Sequence, residues 1–146
     1  MQQLPFPVPE GDLIAYVDGG SRGNPGESGF GVVLKKPSGE VLHRVRGYLG
    51  EETNNTAEYR ALIAGLESAL ELGCQRLEVR SDSQLMVRQI KGIYKVTRPH
   101  LRALHTKAQT LIVRFRFFAI VHIPRKENQE ADRLANEAIE QKAPWL

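Results

Sequence analysis

The stretch Leu13-Ile14-Ala15-Tyr16-Val17-Asp18-Gly19-Gly20 decides how the rest of the chain is read. A short apolar run from Leu13 to Val17 meets Asp18, Gly19 and Gly20, the pattern of a β-strand stopped by turn residues. Ser21 to Gly29 is rich in Gly, Pro and Asn and reads as a loop. Phe30 to Leu34 and Val41 to Tyr48 read as two further strands, with Pro37, Ser38 and Gly39 as the tight turn of a hairpin. The first two strands are antiparallel neighbours by the same logic, so the third runs parallel to the first.

Beyond the strands the periodicity changes. Tyr59, Leu62, Ile63, Leu66, Ala69 and Leu70 recur at helical spacing, which predicts a helix over Thr56 to Leu72 with Gly73 as its stop. Leu77 and Val79 alternate with Glu78 and Arg80, giving a fourth strand. Ser81, Asp82 and Ser83 supply helix-start chemistry for Gln84 to Lys91. Pro99 opens a helix that runs roughly to Arg114, with Leu101, Leu104, Ala108, Leu111 and Ile112 on its apolar side. Phe115 to Ile123 is a fifth strand, and a last helix runs from about Glu127 to Gln141 with Ala131, Leu134, Ala135, Ala138 and Ile139 inward. The order β-β-β-α-β-α-α-β-α belongs to one α/β domain with a mixed sheet. The boundaries expected are a loosely ordered leader over 1–11, a domain over 12–141 and a tail over 142–146.

Crossover connections make strands four and five parallel to strand one as well. Strands one, three, four and five then end at one edge of the sheet. Asp18 closes strand one and Asp82 follows strand four; Glu58 lies in the first turn of the helix after strand three, and Asp132 in the first turns of the last helix. Each has a structural reading of its own: Asp18 as a turn residue, Asp82 as an N-cap, Glu58 and Asp132 as partners of helix dipoles. As a set they repel one another, and nothing structural needs them together. Hard divalent cations such as Mg²⁺ or Mn²⁺ remove the conflict. Leu62 and Leu66 follow Glu58 at steps of four, so Glu58 sits on its helix's apolar side. Such a site suits two-metal phosphodiester chemistry, which needs no nucleophilic side chain.

Composition sets the bounds of this reading. The chain has 146 residues, a quarter of them charged, a formal net charge of +3 and a pI near 9.2. It is long enough for a single domain with a real core, and mildly basic, as suits a polyanionic partner. The single cysteine, Cys74, excludes an internal disulfide and reads as a semi-buried small hydrophobe, compatible with a reducing cytoplasm. Met1 to Asp12 holds no apolar run of the length a signal peptide or membrane span requires. There is no nucleophile-elbow serine, no zinc-type Cys/His set and no Walker A loop.

Four segments resemble the type 1 ribonuclease H family. Asp18-Gly19-Gly20-Ser21-Arg22-Gly23-Asn24-Pro25-Gly26 resembles its opening motif, and Thr53-Asn54-Asn55-Thr56-Ala57-Glu58 its TNN-x-x-E segment. Ser81-Asp82-Ser83 matches its SDS motif, and Asn128-Gln129-Glu130-Ala131-Asp132-Arg133-Leu134-Ala135 resembles its last acidic helix. All four occur in order over residues 12 to 141. The resemblance implies a five-stranded mixed sheet of order 3-2-1-4-5 flanked by helices, and hydrolysis of RNA in RNA–DNA hybrids to 5′-phosphate and 3′-hydroxyl ends. It implies that Asp18, Glu58, Asp82 and Asp132 hold two Mg²⁺ ions, with Mn²⁺ as a substitute. Asn54 and Asn55 are expected to contact the hybrid, with Gly19, Gly20, Ser21, Asn24, Thr53, Ser83 and Asn128 as further substrate contacts. Amide side chains donate and accept, so they bond 2′-hydroxyls and base edges without demanding one sequence.

Two family features are missing. Many members carry a catalytic histidine on a glycine-containing loop before the last helix; here His122 lies in an apolar strand pattern followed by Ile123-Pro124-Arg125-Lys126-Glu127, with no glycine. This resembles the compact branch, and reads His122 as a half-buried strand residue and Arg125 as the more reachable cation. The basic protrusion of other members is reduced to Lys91–His100, where Lys91, Lys95, Arg98 and Tyr94 either meet the DNA strand or form a solvated connection. Trp145 is expected to pack on the surface or fray. The expected protein is a monomer, cytoplasmic, with no membrane partner. The competing functions are another metal-dependent nuclease of the same fold and a non-catalytic hybrid-binding module.

Overall fold

The computed structural model describes residues 12–145, so the expected leader over 1–11 lies outside the described residues. Five strands, β1 (Asp12–Arg22), β2 (Gly26–Lys35), β3 (Val41–Glu52), β4 (Arg76–Ser81) and β5 (Phe117–His122), form one sheet of order β3-β2-β1-β4-β5. The helices are α1 (Asn54–Glu71), α2 (Gln84–Ile90), α3 (Pro99–Ile112) and α4 (Gln129–Gln141), with a 3₁₀ turn at Arg125–Glu127 before the last. β1 pairs antiparallel with β2, and β2 with β3, while β4 runs parallel to β1 and β5 parallel to β4. The strand order and directions are those expected.

The first strand is longer than the sequence pattern implied. Its parallel pairing with β4 ends at Val17 opposite Ser81, but its antiparallel pairing with β2 continues to Arg22 opposite Glu27. Gly19 and Gly20 therefore sit inside a strand, Asp18 is not a strand terminus, and the loop shrinks from the expected Ser21–Gly29 to a turn over Gly23–Pro25. Gly19 is in the strand because a helix passes over it: a Cβ there would lie 2.0 Å from the carbonyl oxygen of Ala57 in α1. At Gly31 of β2 a Cβ would lie 2.2 Å from the carbonyl oxygen of Ala131 in α4. These two close approaches hold α1 and α4 against the sheet beside Asp18, whose register partner on β2 is Gly31.

Leu62, Leu66, Ala69 and Tyr59 of α1 bury against Leu13, Ala15 and Val17 of β1 and Phe30, Val32 and Leu34 of β2. Met86, Val87, Leu101, Leu104 and Ala108 extend the same core under α2 and α3. Ala131, Leu134, Ala135, Ala138 and Ile139 give α4 its buried face, as the spacing predicted. Cys74 is buried, and burial pushes its thiol up to about 11. The described part of the tail is docked: Tyr48 N–H donates to the Ala143 carbonyl at 2.9 Å, and Trp145 meets Phe30 edge-on at 5.0 Å while remaining half exposed. Among the described residues no helix is long and apolar enough to cross a membrane.

Candidate active site

Three elements bring carboxylates together. Asp18 comes from β1, Glu58 from α1 and Asp82 from the bend after β4, and each offers an oxygen within 4.8 Å of the others. Asp132 of α4 lines the same cleft, of about 440 Å³, and its carboxylate helps push the Asp18 carboxyl up. The cleft also takes in Gly19, Gly20, Ser21, Asn54 and Arg125 from the expected set.

Local chemistry fixes each acid. Thr53 caps α1, its Oγ1 accepting from Thr56 N–H at 3.2 Å, so the helix starts at Asn54 and Glu58 falls in its second turn rather than its first. Gly19 N–H donates to Glu58 Oε1 at 3.0 Å, tying β1 to the carboxylate above it. Ser83 caps α2 through Met86 N–H at 3.2 Å, and Ser81 Oγ accepts from Ser83 N–H at 3.0 Å. Asp82 is thus free of the capping role, and Ser83, expected as a substrate contact, is given a structural one.

The cluster is electrostatically strained. Burial, then the charges of Glu58 and Asp82, push Asp18 up to about 9. Burial, then the charge of Asp82, push Glu58 up to about 8, against the Gly19 N–H and the positive charge of Arg125, which act the other way. Burial is the larger cause for both carboxyls, and like charges sharing one site add to it. The donor set is all oxygen, with no sulfur or imidazole in the cleft, and fits hard divalent cations.

The asparagines brace one another. Asn54 Oδ1 accepts from Ser21 N–H at 2.7 Å, and Asn54 N–H donates to Asn24 Oδ1 at 3.0 Å. With both acceptors engaged, what Asn24 and Asn54 can offer a ligand is an amide donor. Asn55 turns into a neighbouring groove of about 490 Å³ shared with Asn24, Thr53, Arg98 and His100. Tyr94 is held by Arg88, whose Nη1 donates to its hydroxyl at 2.7 Å.

Two expectations are corrected. Asn128 is 1% exposed and cannot face a substrate; its side chain points into the protein against Val17 and Asp82. His122 is exposed rather than half-buried, because β5 is the sheet's edge strand, and it does not line the cleft. Sequence reasoning missed Arg22 and Asn136, which line the far end of the cleft and hydrogen-bond at 3.0 Å. The one available signal was Arg22's place inside the glycine-rich motif.

Known proteins share this sequence pattern and fold. A family model described as reverse transcriptase-like matches residues 16–138. Ribonuclease HI of Halobacterium salinarum is 43% identical over 130 residues, covering 89% of this chain and 65% of that protein. The crystal structure of RNase H1 from the same archaeon overlays with a TM-score of 0.88, covering 90% of this chain and 99% of that one. The bifunctional protein Rv2228c of Mycobacterium tuberculosis is 45% identical over 88% of this chain but only 35% of its own length; its N-terminal RNase H domain overlays with a TM-score of 0.87 at 44% identity, covering 89% of this chain and 94% of that one. LC11-RNase H1, crystallised with an RNA/DNA hybrid, is 44% identical with a TM-score of 0.85, covering 89% of this chain and 98% of that one. The chain thus spans less than two-thirds of the length of the first two of these relatives. With its acids gathered in one cleft and its sheet in the expected order, the chain belongs to the type 1 ribonuclease H family.

Proposed function

We propose that this protein is an endonuclease that hydrolyses the RNA strand of RNA–DNA hybrids, leaving 5′-phosphate and 3′-hydroxyl ends. The observation that carries the reading is the carboxylate cluster, with three acids' oxygens within 4.8 Å, beside the braced pair Asn24–Asn54. The complex of LC11-RNase H1 with a hybrid supports the substrate.

Asp18, Glu58, Asp82 and Asp132 would hold two Mg²⁺ ions, with Mn²⁺ as a substitute. When bound, the ions supply an activated water and stabilise the leaving oxygen. The chain's own groups do the rest. Gly19 N–H keeps one Glu58 oxygen oriented at 3.0 Å. The amide donors of Asn24 and Asn54 meet acceptors on the RNA strand, 2′-hydroxyls among them, and so distinguish it from DNA. Asn55, with Arg98 in the neighbouring groove, meets the second strand. Arg125, in the cleft but exposed, handles the phosphate as it leaves. The protein works as a monomer in a reducing cytoplasm, consistent with its single buried cysteine.

Labelled hybrid, single-stranded RNA, duplex RNA and duplex DNA should be incubated in parallel with Mg²⁺, Mn²⁺ or EDTA. The expected result is internal cutting of RNA in the hybrid alone, and none in EDTA. Equal cutting of single-stranded RNA, or full activity in EDTA, rejects the proposal. Preference for duplex DNA points to another nuclease of this fold, and hybrid binding without cutting to a binding module.

A further inference from the structure

Asn128 connects three of the four acids. Its Nδ2 donates to the carbonyl of Val17, the residue before Asp18, at 2.9 Å, and lies 3.4 Å from Asp82 Oδ2. Its own carbonyl accepts from Asp132 N–H at 3.1 Å, at the start of α4. The bonds to Val17 and Asp82 span 111 and 46 residues of chain, so one side chain joins β1, the bend after β4 and the entry to α4. It is 1% exposed, and among the described residues its Oδ1 has no hydrogen-bond partner. Leaving an amide oxygen buried and unpaired costs free energy, so the position is held for what the NH₂ group does.

We propose that Asn128 is a positioning residue: it fixes Asp82 against Asp18 and Asp132 at the separation two cations require, and does not touch the nucleic acid. Asp82 needs such a post. It stands on a bend, outside both strand and helix, and among the described residues the Asn128 contact is the hydrogen bond its carboxylate receives. An amide suits the task because it orients an oxygen without neutralising it; a lysine or arginine there would compete with the cation. The 3.4 Å separation marks a contact that steers rather than binds tightly, with Val17 as the stronger anchor. Groups that orient metal-ligating carboxylates typically change metal affinity or activity by about 10–100-fold when removed.

The proposal rests on the nuclease reading only for its kinetic readout; its metal readout is independent. Asn128→Asp keeps the shape and removes the donor, and Asn128→Ser keeps a shorter one. In each variant that folds by circular dichroism, the Mn²⁺ concentration that half-saturates the metal-induced rise in melting temperature should increase about tenfold or more. Hybrid affinity in EDTA should stay within about twofold, and kcat should fall with KM unchanged. An unchanged Mn²⁺ titration overturns the proposal, and so does a weakened hybrid affinity with normal kcat, which marks a substrate contact. The wild-type protein supplies a test that needs no variant. The Asn128 side-chain NH₂ resonance should shift on adding Mg²⁺ without nucleic acid and stay still on adding hybrid in EDTA; the reverse pattern overturns the proposal. A protein that passes the metal tests but cuts no hybrid loses the proposed function and keeps this inference.

Discussion

At Asp82 the choice between a helix cap and a metal ligand comes down to one hydroxyl. Ser83 Oγ takes the Met86 N–H at 3.2 Å, so α2 does not need Asp82 as a cap. Asp82→Asn removes one negative charge without changing shape. Cleavage should fall by at least about a hundredfold, as expected for loss of an ionised ligand in a metal site. Hybrid affinity in EDTA should survive, and the metal-free melting temperature should stay level or rise, because one term of repulsion on Asp18 and Glu58 disappears. Near-normal cleavage would remove Asp82 from the site and the two-metal mechanism with it. The two candidate catalytic side chains that precede the last helix divide in the same way. His122 ends β5, exposed and outside the cleft, whereas Arg125 lines it and its charge reaches Glu58. His122→Ala should lower the rate by less than about tenfold, below the usual effect of a general acid–base residue, and Arg125→Ala should cost more. A hundredfold loss at His122 with an intact circular dichroism spectrum would reverse that assignment.

Among the elements, β1 carries the most of the site and was the least completely legible. Its apolar half, Leu13 to Val17, announced itself; its second half did not, because Asp-Gly-Gly reads as a turn wherever the chain is considered alone. The reason for glycine there lies in α1, forty residues later. Gly19→Ala would drive a methyl group into the Ala57 carbonyl at 2.0 Å, where the nearest atoms are all α1 backbone and no flexible side chain can give way. It should cost roughly 3 kcal/mol, typical of overpacking a closed interface, and displace Glu58 with the helix. Gly20→Ala meets nothing within 4 Å and should leave the melting temperature nearly unchanged. Equal effects in a thermal melt of the two variants would mean that α1 does not bear on β1 as described. The start of α1 was misread for a related reason. Apolar periodicity begins at Thr56, but Thr53 caps the helix, and the cap recruits Asn54 and Asn55 into its first turn. The other elements were legible because their periods and stop residues agree. Gly73, at φ +80°, ends α1 with Cys74 N–H on the Ala69 carbonyl at 3.0 Å, and Gly39, at φ +99°, closes the hairpin.

The molecule as a whole concentrates negative charge where its neutral-pH total of +3 gives no hint of it. The convergence of Asp18, Glu58, Asp82 and Asp132 could be read from the sequence because connection rules orient strands before any side chain is considered. The roles of Asn128 and Arg22 could not, since they depend on which atoms meet across more than a hundred residues. The gathered acids also set how the metal-free fold responds to pH. Asp18 and Glu58 titrate near 4 in an unfolded chain but at about 9 and 8 in the fold, raised chiefly by burial and then, at Asp18, by the charges of Glu58 and Asp82 and, at Glu58, by the charge of Asp82. Between those limits the folded state holds protons that the unfolded state has released. Raising the pH therefore favours unfolding, and the metal-free protein should lose stability progressively from about pH 4 towards pH 9, then level off. This is opposite in sign to a salt-bridged carboxylate, which gains stability as the pH rises through its range. Divalent cations bound to the ionised acids would drive both groups back towards ordinary carboxylate behaviour. In saturating Mg²⁺ the decline should flatten, and the gap between metal-bound and metal-free melting temperatures should widen with pH. Melting curves at pH 5, 7 and 9, each with EDTA and with Mg²⁺, measure this directly. A gap that is constant across that range would mean that protons and cations do not compete for the same oxygens, and that the four acids do not form one site.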